Sequence, residues 1–212
     1  KWGRDCVKKF NGMFAFAIWD AQEKELFLAR DHMGVKPLYY FFDGKKFIFS
    51  SEIKAILEHD VPRMVDREAF NLYFHLYYVP EPLTMFADIK KLPAASFAIL
   101  KNDKLEIKKY WEVSDFANLE SKTEVRAKIK DIFNDSVKRQ LIADRPVGIF
   151  LSGGLDSTAV LGAASSVVGQ KIKTFSVGFD VQDEQAKFNA DFNLARQTAK
   201  HYNTDHRELI IS

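Results

Sequence analysis

The C-terminal part of the chain alternates short apolar strands with helices, and this alternation limits the fold more than any other feature of the sequence. Three apolar segments of strand length, residues 147–151, 172–179 and 207–211, are separated by helical segments at residues 158–168 and 189–202. Strands that are buried on both faces and alternate with helices form parallel sheets with right-handed crossovers. The order βαβαβ therefore predicts a doubly wound parallel α/β domain.

A glycine pair lies directly between the first of these strands and the first helix. Glycines let the backbone turn tightly and approach a ligand without a Cβ clash. Amides at the start of the following helix can then point into one concavity that suits a pyrophosphate, and two serine hydroxyls add donors. The alternative is an ordinary Ser-Gly turn with an Asp helix cap. The residues of this turn are Ser152, Gly153, Gly154, Leu155, Asp156 and Ser157.

Asp156 places a carboxylate beside a predicted polyanion site. It is explained if the carboxylate holds a Mg²⁺ ion that neutralises the phosphates, or if it caps the helix. The Walker pattern G-x-x-x-x-G-K-[ST] is absent from the sequence. This absence disfavours kinases and GTPases, and it favours enzymes that cleave ATP between the α and β phosphates.

Two strand residues are predicted to bind the adenine of ATP. The carboxyl ends of neighbouring parallel strands face one crevice. The backbones of Leu151 and Val177 are therefore expected to hydrogen-bond to the edge of the base, with their side chains packed on its faces. The alternative is that both are core strand residues.

Residues 1–113 have the pattern of an antiparallel β domain. The apolar segment 13–19 predicts a buried strand, and Asp43-Gly44 indicates a hairpin. A helix is predicted over residues 66–77, and its aromatic residues, which share one face, are interpreted as core. These aromatic residues are Phe70, Tyr73, Phe74 and Tyr77. Arg30 and Asp31 are predicted to pair with each other and to shape a turn.

Composition excludes several classes of function. A net charge of +2 gives no case for nucleic-acid binding, and no run of about 18 apolar residues predicts a membrane span. Cys6 is the single cysteine of the sequence, which excludes an internal disulfide and fits a reducing cytosol. A cytoplasmic location is therefore expected. Residues 114–120 are mixed and polar, so they are predicted to link residues 1–113 to a second domain at 121–212.

Five strings in the sequence resemble the glutamine-hydrolysing asparagine synthetase family. SGGLDS at residues 152–157 is similar to the loop of the ATP-pyrophosphatase superfamily, and FSVGF at 175–179 also matches the family. FNGMFAFAIWD at residues 10–20 and ARDHMGVKPLYY at 29–40 resemble glutamine amidotransferase domains with an N-terminal nucleophile. PEPLTMF at residues 80–86 is similar to the domain junction of these synthetases.

The resemblance implies a fold and an activity. Residues 1–113 would be the C-terminal part of an α+β glutamine amidotransferase domain, and 121–212 the N-terminal part of the ATP-pyrophosphatase domain, so the chain is expected to be a fragment. The implied enzyme is a ligase of amino-acid biosynthesis. One domain releases ammonia from glutamine, and the other adenylates aspartate with ATP, releases pyrophosphate and forms asparagine and AMP.

The resemblance also implies the cofactors, partners and site. ATP and Mg²⁺ are the expected cofactors, with Mg²⁺ at Asp156. Small-molecule substrates (ATP, aspartate and glutamine) are the expected partners, with a homodimer compatible with the family and neither nucleic acid nor membrane implied. The nucleophilic cysteine is expected outside these residues, and Cys6 is interpreted as a core thiol. The implied ATP contacts are Leu151, Ser152, Gly153, Gly154, Leu155, Asp156, Ser157 and Val177.

Two alternatives remain. A related amidotransferase or a β-lactam-synthetase-like enzyme would share the architecture and adenylate a different carboxylate. A non-catalytic binding protein on a decayed scaffold is also conceivable, although the intact SGGLDS loop argues against it.

Overall fold

A computed structural model of the protein describes residues 2–113, 122–180 and 189–211, and its contacts divide the chain into residues 1–117 and 118–212. Helices and strands occur in both units, so the fold is mixed α/β. The predicted linker, residues 114–120, lies outside the described residues. No helix within the described ranges is both long enough and apolar enough to cross a bilayer.

The first unit is built from two antiparallel sheets, as the sequence predicts. One sheet has the strand order β1-β2-β6-β7 and the other β4-β3-β5. In chain order its elements are a 3₁₀ helix (Gly3–Lys9), β1 (Ala15–Asp20), β2 (Glu25–Arg30), β3 (Tyr39–Phe42), β4 (Phe47–Ser50), α1 (Ile53–Leu57), α2 (Arg67–Leu76), β5 (Ile89–Lys91), β6 (Ser96–Lys101) and β7 (Lys104–Lys109).

Strand β1 corrects the prediction that residues 13–19 form a buried strand. It lies at the edge of its sheet, paired only with β2 among the described strands. Ile18 and Trp19 are 53% and 59% exposed. The apolar composition of a short segment identifies a strand, but it does not say whether another strand or helix will cover it.

Helix α2 is confirmed, but the predicted burial of its aromatic face is wrong. The Asp66 carboxylate caps the helix by accepting hydrogen bonds from two first-turn amides. Ala69 is the buried residue of the helix. The aromatic rings contact one another instead of a core, with the Phe70 and Phe74 centroids 4.9 Å apart. The exposed members of this face are Phe70, Tyr73, Phe74 and Tyr77.

Arg30 and Asp31 do not pair with each other, which corrects a second prediction. The buried Arg30 guanidinium lies 2.8 Å from the carboxylate of Glu81. Its other hydrogen bonds go to main-chain carbonyls, so this side chain fastens loops together inside the unit. These carbonyls belong to Gly34, Lys36 and Leu92.

The Asp31 carboxylate is buried and accepts hydrogen bonds from four main-chain amides. Burial raises the pKa of this carboxyl, but the four hydrogen bonds outweigh burial and leave the pKa below its ordinary value. Nearby, the Tyr110 hydroxyl donates to the Arg30 carbonyl at 2.9 Å. Burial and the Asp31 charge raise the pKa of Tyr110 to about 12. The four amides belong to Phe14, Met33, Val35 and Lys36.

The second unit contains the predicted parallel sheet. Its strands lie in the order β10-β9-β8, and both pairings are parallel. Helix α4 begins at Leu155, three residues before the predicted start, so Asp156 lies in its first turn. In chain order the elements are α3 (Lys122–Gln140), β8 (Gly148–Phe150), α4 (Leu155–Ser165), β9 (Lys173–Phe179), α5 (Ala190–His201) and β10 (Asp205–Ile211).

One face of this sheet is covered within the described part of the chain. A single core cluster contains residues from α3, α4 and α5 together with Leu151, which follows β8. Side chains on the opposite face are exposed, because alternate strand residues point to opposite sides. Helices on both faces, as a doubly wound sheet requires, therefore remain a prediction. The exposed side chains are Phe150, Val177, Phe179, Leu209 and Ile211.

Candidate functional site

The glycine turn joins the end of β8 to the start of α4. Gly153 has a φ of +79°, a left-handed conformation that side-chain-bearing residues rarely adopt. A Cβ built on Gly153 would overlap the main-chain carbonyl of Asp191, in the first turn of α5. Glycine is therefore needed at 153 both for its backbone angle and for the close approach of α5.

Hydroxyl groups hold this turn in shape. The Ser152 and Ser157 hydroxyl oxygens lie 3.2 Å apart. The hydroxyls of Ser157 and Thr158 both donate to the carbonyl of Gly154, at 3.2 and 2.8 Å. Because these bonds are internal, the turn is preformed without a ligand.

Four main-chain N–H groups of the turn donate to no residue that the structure describes. They precede or open α4, where the helix leaves its first amides without partners. The aligned peptide dipoles add partial positive charge at this end. Free amides at a helix start that follows a glycine turn form a site for an anion such as pyrophosphate. The four amides belong to Gly153, Leu155, Asp156 and Ser157.

The Asp156 carboxylate is exposed and forms neither a hydrogen bond nor an ion pair with any described residue. Gly154, not Asp156, is the N-cap residue of α4, and no side chain caps the helix. The described residues include no cluster of three His, Cys, Asp or Glu side chains that could hold a metal. Mg²⁺ is commonly bound by one or two carboxylates with phosphates and waters, so an exposed carboxylate beside amides that could hold a phosphate fits this ion.

The edge of β9 that faces β8 has one open position. Asp180 donates to the Ile211 carbonyl on the β10 side, whereas the Phe175 carbonyl accepts from Leu151 on the β8 side. Main-chain groups of successive strand residues alternate between the two sides, so Val177 also faces β8. Strand β8 ends at Phe150, and the N–H and C=O of Val177 pair with nothing in the described ranges.

The next residue on that edge is closed by a side chain. The Phe179 N–H donates to Asn189 Oδ1 at 2.9 Å, and Asn189 Nδ2 donates to the Phe179 carbonyl at 2.8 Å. Asn189 is buried and immediately precedes α5. Among the described residues beyond the end of β8, the open part of the β9 edge is thereby limited to Val177.

The structure separates the two predicted adenine contacts. The Leu151 side chain is 3% exposed and packs in the core, and its N–H is already bonded to Phe175. The prediction that this side chain packs on the base is therefore wrong. The Leu151 carbonyl accepts no hydrogen bond from any described residue. The Val177 side chain lies on the opposite, exposed face of the sheet. Its backbone is the open donor and acceptor pair.

Sequence reasoning missed Asn189 and Asp191 as neighbours of the site. Asn before a helix is a cap signal, so from the sequence it indicates only where the helix starts. The pairing with Phe179 and the contact of Gly153 with Asp191 join residues far apart in the sequence, which no local pattern reports.

A cavity of about 480 Å³ opens beside α5 at the ends of β9 and β10. Arg196 is the cationic residue that lines this cavity. Its guanidinium donates two hydrogen bonds to the Glu208 carboxylate, at 2.7 and 2.8 Å. These bonds hold the pKa of the Glu208 carboxyl below its ordinary value. Arg196 is therefore committed to a neighbour and does not offer a free charge to a ligand.

Two family models match the chain. The model described as a glutamine amidotransferase domain matches residues 1–111, and the model described as asparagine synthase matches residues 128–212. The second match contains the glycine turn and strand β9.

Curated relatives agree with these matches. A putative glutamine-hydrolysing asparagine synthetase 2 of Methanocaldococcus jannaschii is 41% identical over 89% of this chain and 38% of its own length. The glutamine-hydrolysing asparagine synthetase 3 of Bacillus subtilis is 37% identical over 100% of this chain and 36% of its own length. Amidase chry2 of Gibberella zeae is 30% identical over 81% of this chain and 26% of its own length. The chain thus spans between a quarter and two fifths of the length of these relatives.

Proposed function

Because the chain belongs to the glutamine-hydrolysing asparagine synthetase family, we propose that the whole protein makes asparagine from aspartate, glutamine and ATP. Glutamine is hydrolysed to ammonia, and ATP converts the aspartate side chain to an acyl-adenylate. Ammonia then displaces AMP. The free amides and exposed carboxylate of the turn after β8 are the observation that supports this proposal.

The glycine turn would bind the pyrophosphate part of ATP. A carboxylate is a poor electrophile, and adenylation gives it a good leaving group while pyrophosphate departs. Negative charge grows on that pyrophosphate, and the free amides at the start of α4 can stabilise it with fixed donors. The hydroxyls of Ser152 and Ser157 lie beside these amides and add further donors.

Asp156 would hold the magnesium ion. Its carboxylate is in the first turn of α4 and is free of other described partners. A Mg²⁺ ion bound there would neutralise part of the charge on the departing pyrophosphate. The remaining ligands would be phosphate oxygens and waters, as is usual for this ion.

The open edge of β9 would bind adenine. The Val177 N–H can donate to a ring nitrogen, and the Val177 carbonyl can accept from the exocyclic amino group. The Leu151 carbonyl, one residue past the end of β8, offers a second acceptor. A base that reverses this donor and acceptor order, as guanine does, would pair poorly, so the geometry favours ATP over GTP.

We also infer the fold and the domain organisation of the chain. Residues 1–113 would form part of a domain of the N-terminal-nucleophile type, 114–120 a linker, and 121–212 part of a doubly wound ATP-pyrophosphatase domain. Cys6 packs against the core cluster that contains Val7 and Phe27, so we assign it a structural role and not that of the nucleophile. The reducing cytosol is the proposed site of action, and a homodimer the proposed assembly.

The test is aspartate-dependent exchange of radioactive pyrophosphate into ATP by the whole protein. We expect exchange with Mg²⁺ and aspartate, and asparagine formation when glutamine or ammonium is added. Exchange that requires a different carboxylate would select the alternative of a related amidotransferase or a β-lactam-synthetase-like enzyme. No exchange with any carboxylate would contradict the proposed adenylation.

A further inference from the structure

We propose that Asn189 is a positioning residue that fixes where the base of ATP binds along β9. The inference rests on the nucleotide site proposed above and adds to it the residue that limits that site. The Asn189 side chain hydrogen-bonds to both main-chain groups of Phe179. Val177 is therefore the one residue on this edge, among those described, whose N–H and C=O are both open.

A strand repeats the same main-chain donor and acceptor along its edge, and this repeat creates the need for such a residue. Residues that face the same side are two apart, which is about 6.6 Å along the strand. Each presents the same pair of groups, an N–H and a C=O. Without Asn189, Phe179 would offer a base the same donor and acceptor as Val177. A purine could then bind in either of two registers, and only one of them would suit a triphosphate held by the turn after β8.

The chemistry of the Asn189 side chain matches this task. A primary amide carries one acceptor oxygen and one donor nitrogen, and both are used on the same residue, Phe179, at 2.9 and 2.8 Å. Asparagine just before a helix ordinarily caps it with its side-chain oxygen. Asn189 makes no such bond to α5, so its amide is committed to the strand instead of to its own helix.

The same helical turn touches the phosphate-binding turn. Gly153 lies so close to the Asp191 carbonyl that no Cβ fits between them. Asn189 and Asp191 are two residues apart at the start of α5. This short segment therefore contacts the proposed sites of both ends of the nucleotide, and Asn189 ties it to β9.

The experiment measures binding of ATP, GTP and inorganic pyrophosphate to the whole protein and to Asn189→Ala. We expect ATP affinity to fall about threefold to tenfold, because the end of β9 and the start of α5 lose the two hydrogen bonds that hold them in place for the nucleotide. The preference for ATP over GTP should stay within about twofold of wild type, because Phe179 presents the same donor and acceptor order as Val177. Pyrophosphate affinity should stay within about twofold, since pyrophosphate needs only the turn after β8.

The matched control is Gln197→Ala. Gln197 also carries a side-chain amide, lies two turns later on α5, and is exposed. We expect wild-type affinities for all three ligands. If Asn189→Ala binds ATP as well as this control does, or loses ATP and pyrophosphate equally, the positioning role is refuted while the nucleotide site stands. If the wild-type protein binds no ATP, the proposed function itself fails.

Asn189→Asp gives a second test that does not depend on the folding of the alanine variant. An ionised carboxylate can accept from the Phe179 N–H but repels the Phe179 carbonyl. A protonated carboxyl restores both bonds, and donation to that carbonyl raises the pKa of the new group. The ATP affinity of this variant relative to wild type should therefore recover as the pH is lowered from about 8 to about 5. A ratio that does not change with pH would overturn the inference.

Discussion

Gly153 is the residue at which one added methyl group should disturb the candidate site most. Its φ is +79°, and a Cβ would overlap the Asp191 carbonyl. We expect Gly153→Ala to lower the stability of the second unit by about 1–3 kcal/mol. ATP affinity should fall about tenfold or more, because α5 or the turn must move. Thermal unfolding and nucleotide binding measure the two effects.

Gly169→Ala is the control for this substitution. Gly169 has an ordinary φ, and a Cβ there would meet nothing within 4 Å. The stability and the ATP affinity of the Gly169→Ala protein should match those of the wild type. If both glycine variants behave alike, the close approach of Asp191 does not matter for the site.

Asp31 should make the first unit sensitive to acid. Its pKa is below the ordinary value because four amide hydrogen bonds outweigh burial. A carboxyl with a depressed folded pKa stabilises the protein above its unfolded pKa, about 3.9, and this stability is lost as the pH falls through the folded pKa. Asp31→Asn should therefore lower stability by about 2–4 kcal/mol at neutral pH. The difference from wild type should shrink below about pH 4.

Tryptophan fluorescence can follow this unfolding, because Trp2, Trp19 and Trp111 all lie in the first unit. The exposed hairpin residue Asp103 provides the control, and Asp103→Asn should change little at any pH. A gap between Asp31→Asn and wild type that is the same at pH 7 and at about pH 3 would show that the amide bonds do not stabilise the ionised form.

Residues that act through their sequence neighbours were predictable, and those that act across the fold were not. The turn after β8 could be predicted because its glycines, serines and Asp156 are consecutive. Arg30 and Asp31 are also consecutive, yet Arg30 pairs with the distant Glu81, and Asp31 accepts from main-chain amides of the turn that follows it. Adjacent opposite charges suggested a pair, but burial made each side chain bind the groups that fold around it.

At the scale of elements, the period of the hydrophobic residues predicts whether a segment is a helix or a strand. It predicts less reliably whether that element is buried. The helix at α2 and the hairpin of β3 and β4 are found as predicted. The period of Phe70, Tyr73 and Phe74 is helical, but no element that the structure describes in this unit buries that face. A pattern along one segment contains no information about what lies opposite it. This is why the apolar faces of α2 and β1 were expected to be buried but are exposed.

The edge of β9 leads to a prediction about nucleotide recognition by backbone. Val177→Ile and Leu151→Ile keep every main-chain group, so selectivity for ATP over GTP should be nearly unchanged. Val177→Pro removes the open N–H, and because that N–H is not part of the pairing with β10, the strand should tolerate proline as an edge does. ATP affinity should then fall about threefold to tenfold with the loss of one hydrogen bond.

Ser176→Pro is the contrasting variant for this edge. Its N–H faces β10, as that of Asp180 does, so proline there breaks the parallel ladder and should unfold the unit. Circular dichroism separates the two effects, and calorimetry measures binding to Val177→Pro. Wild-type affinity in a folded Val177→Pro protein would exclude this backbone from base recognition.

At the scale of the whole molecule, the two family matches and the two compact units describe similar parts of the chain. The contacts divide the chain after residue 117, and the matched ranges are 1–111 and 128–212. The change in composition near residue 114 could suggest such a division from the sequence. The side chains that a domain leaves exposed, such as Phe150 and Leu209, could not be foreseen, because they depend on which helices cover the sheet.

If each unit serves its own reaction, a change in one should leave the other reaction intact. Asp156 lies in the second unit, in the first turn of α4. Asp156→Asn keeps the size of the side chain but removes the charge that would hold Mg²⁺. We expect aspartate-dependent ATP–pyrophosphate exchange by the whole protein to fall about 100-fold or more, since metal stabilisation of the leaving group contributes several kcal/mol. Glutamine hydrolysis should remain within about twofold of wild type.

Asp131→Asn, on the exposed surface of α3, is the control and should leave both reactions unchanged. Exchange near the wild-type rate in Asp156→Asn would mean that this carboxylate serves only the start of α4 and that the magnesium assignment is wrong. Equal loss of exchange and glutamine hydrolysis, in a protein with an unchanged circular dichroism spectrum, would mean that the two reactions cannot be assigned to separate units. Only loss of exchange with hydrolysis retained supports a Mg²⁺–pyrophosphate site at the turn after β8.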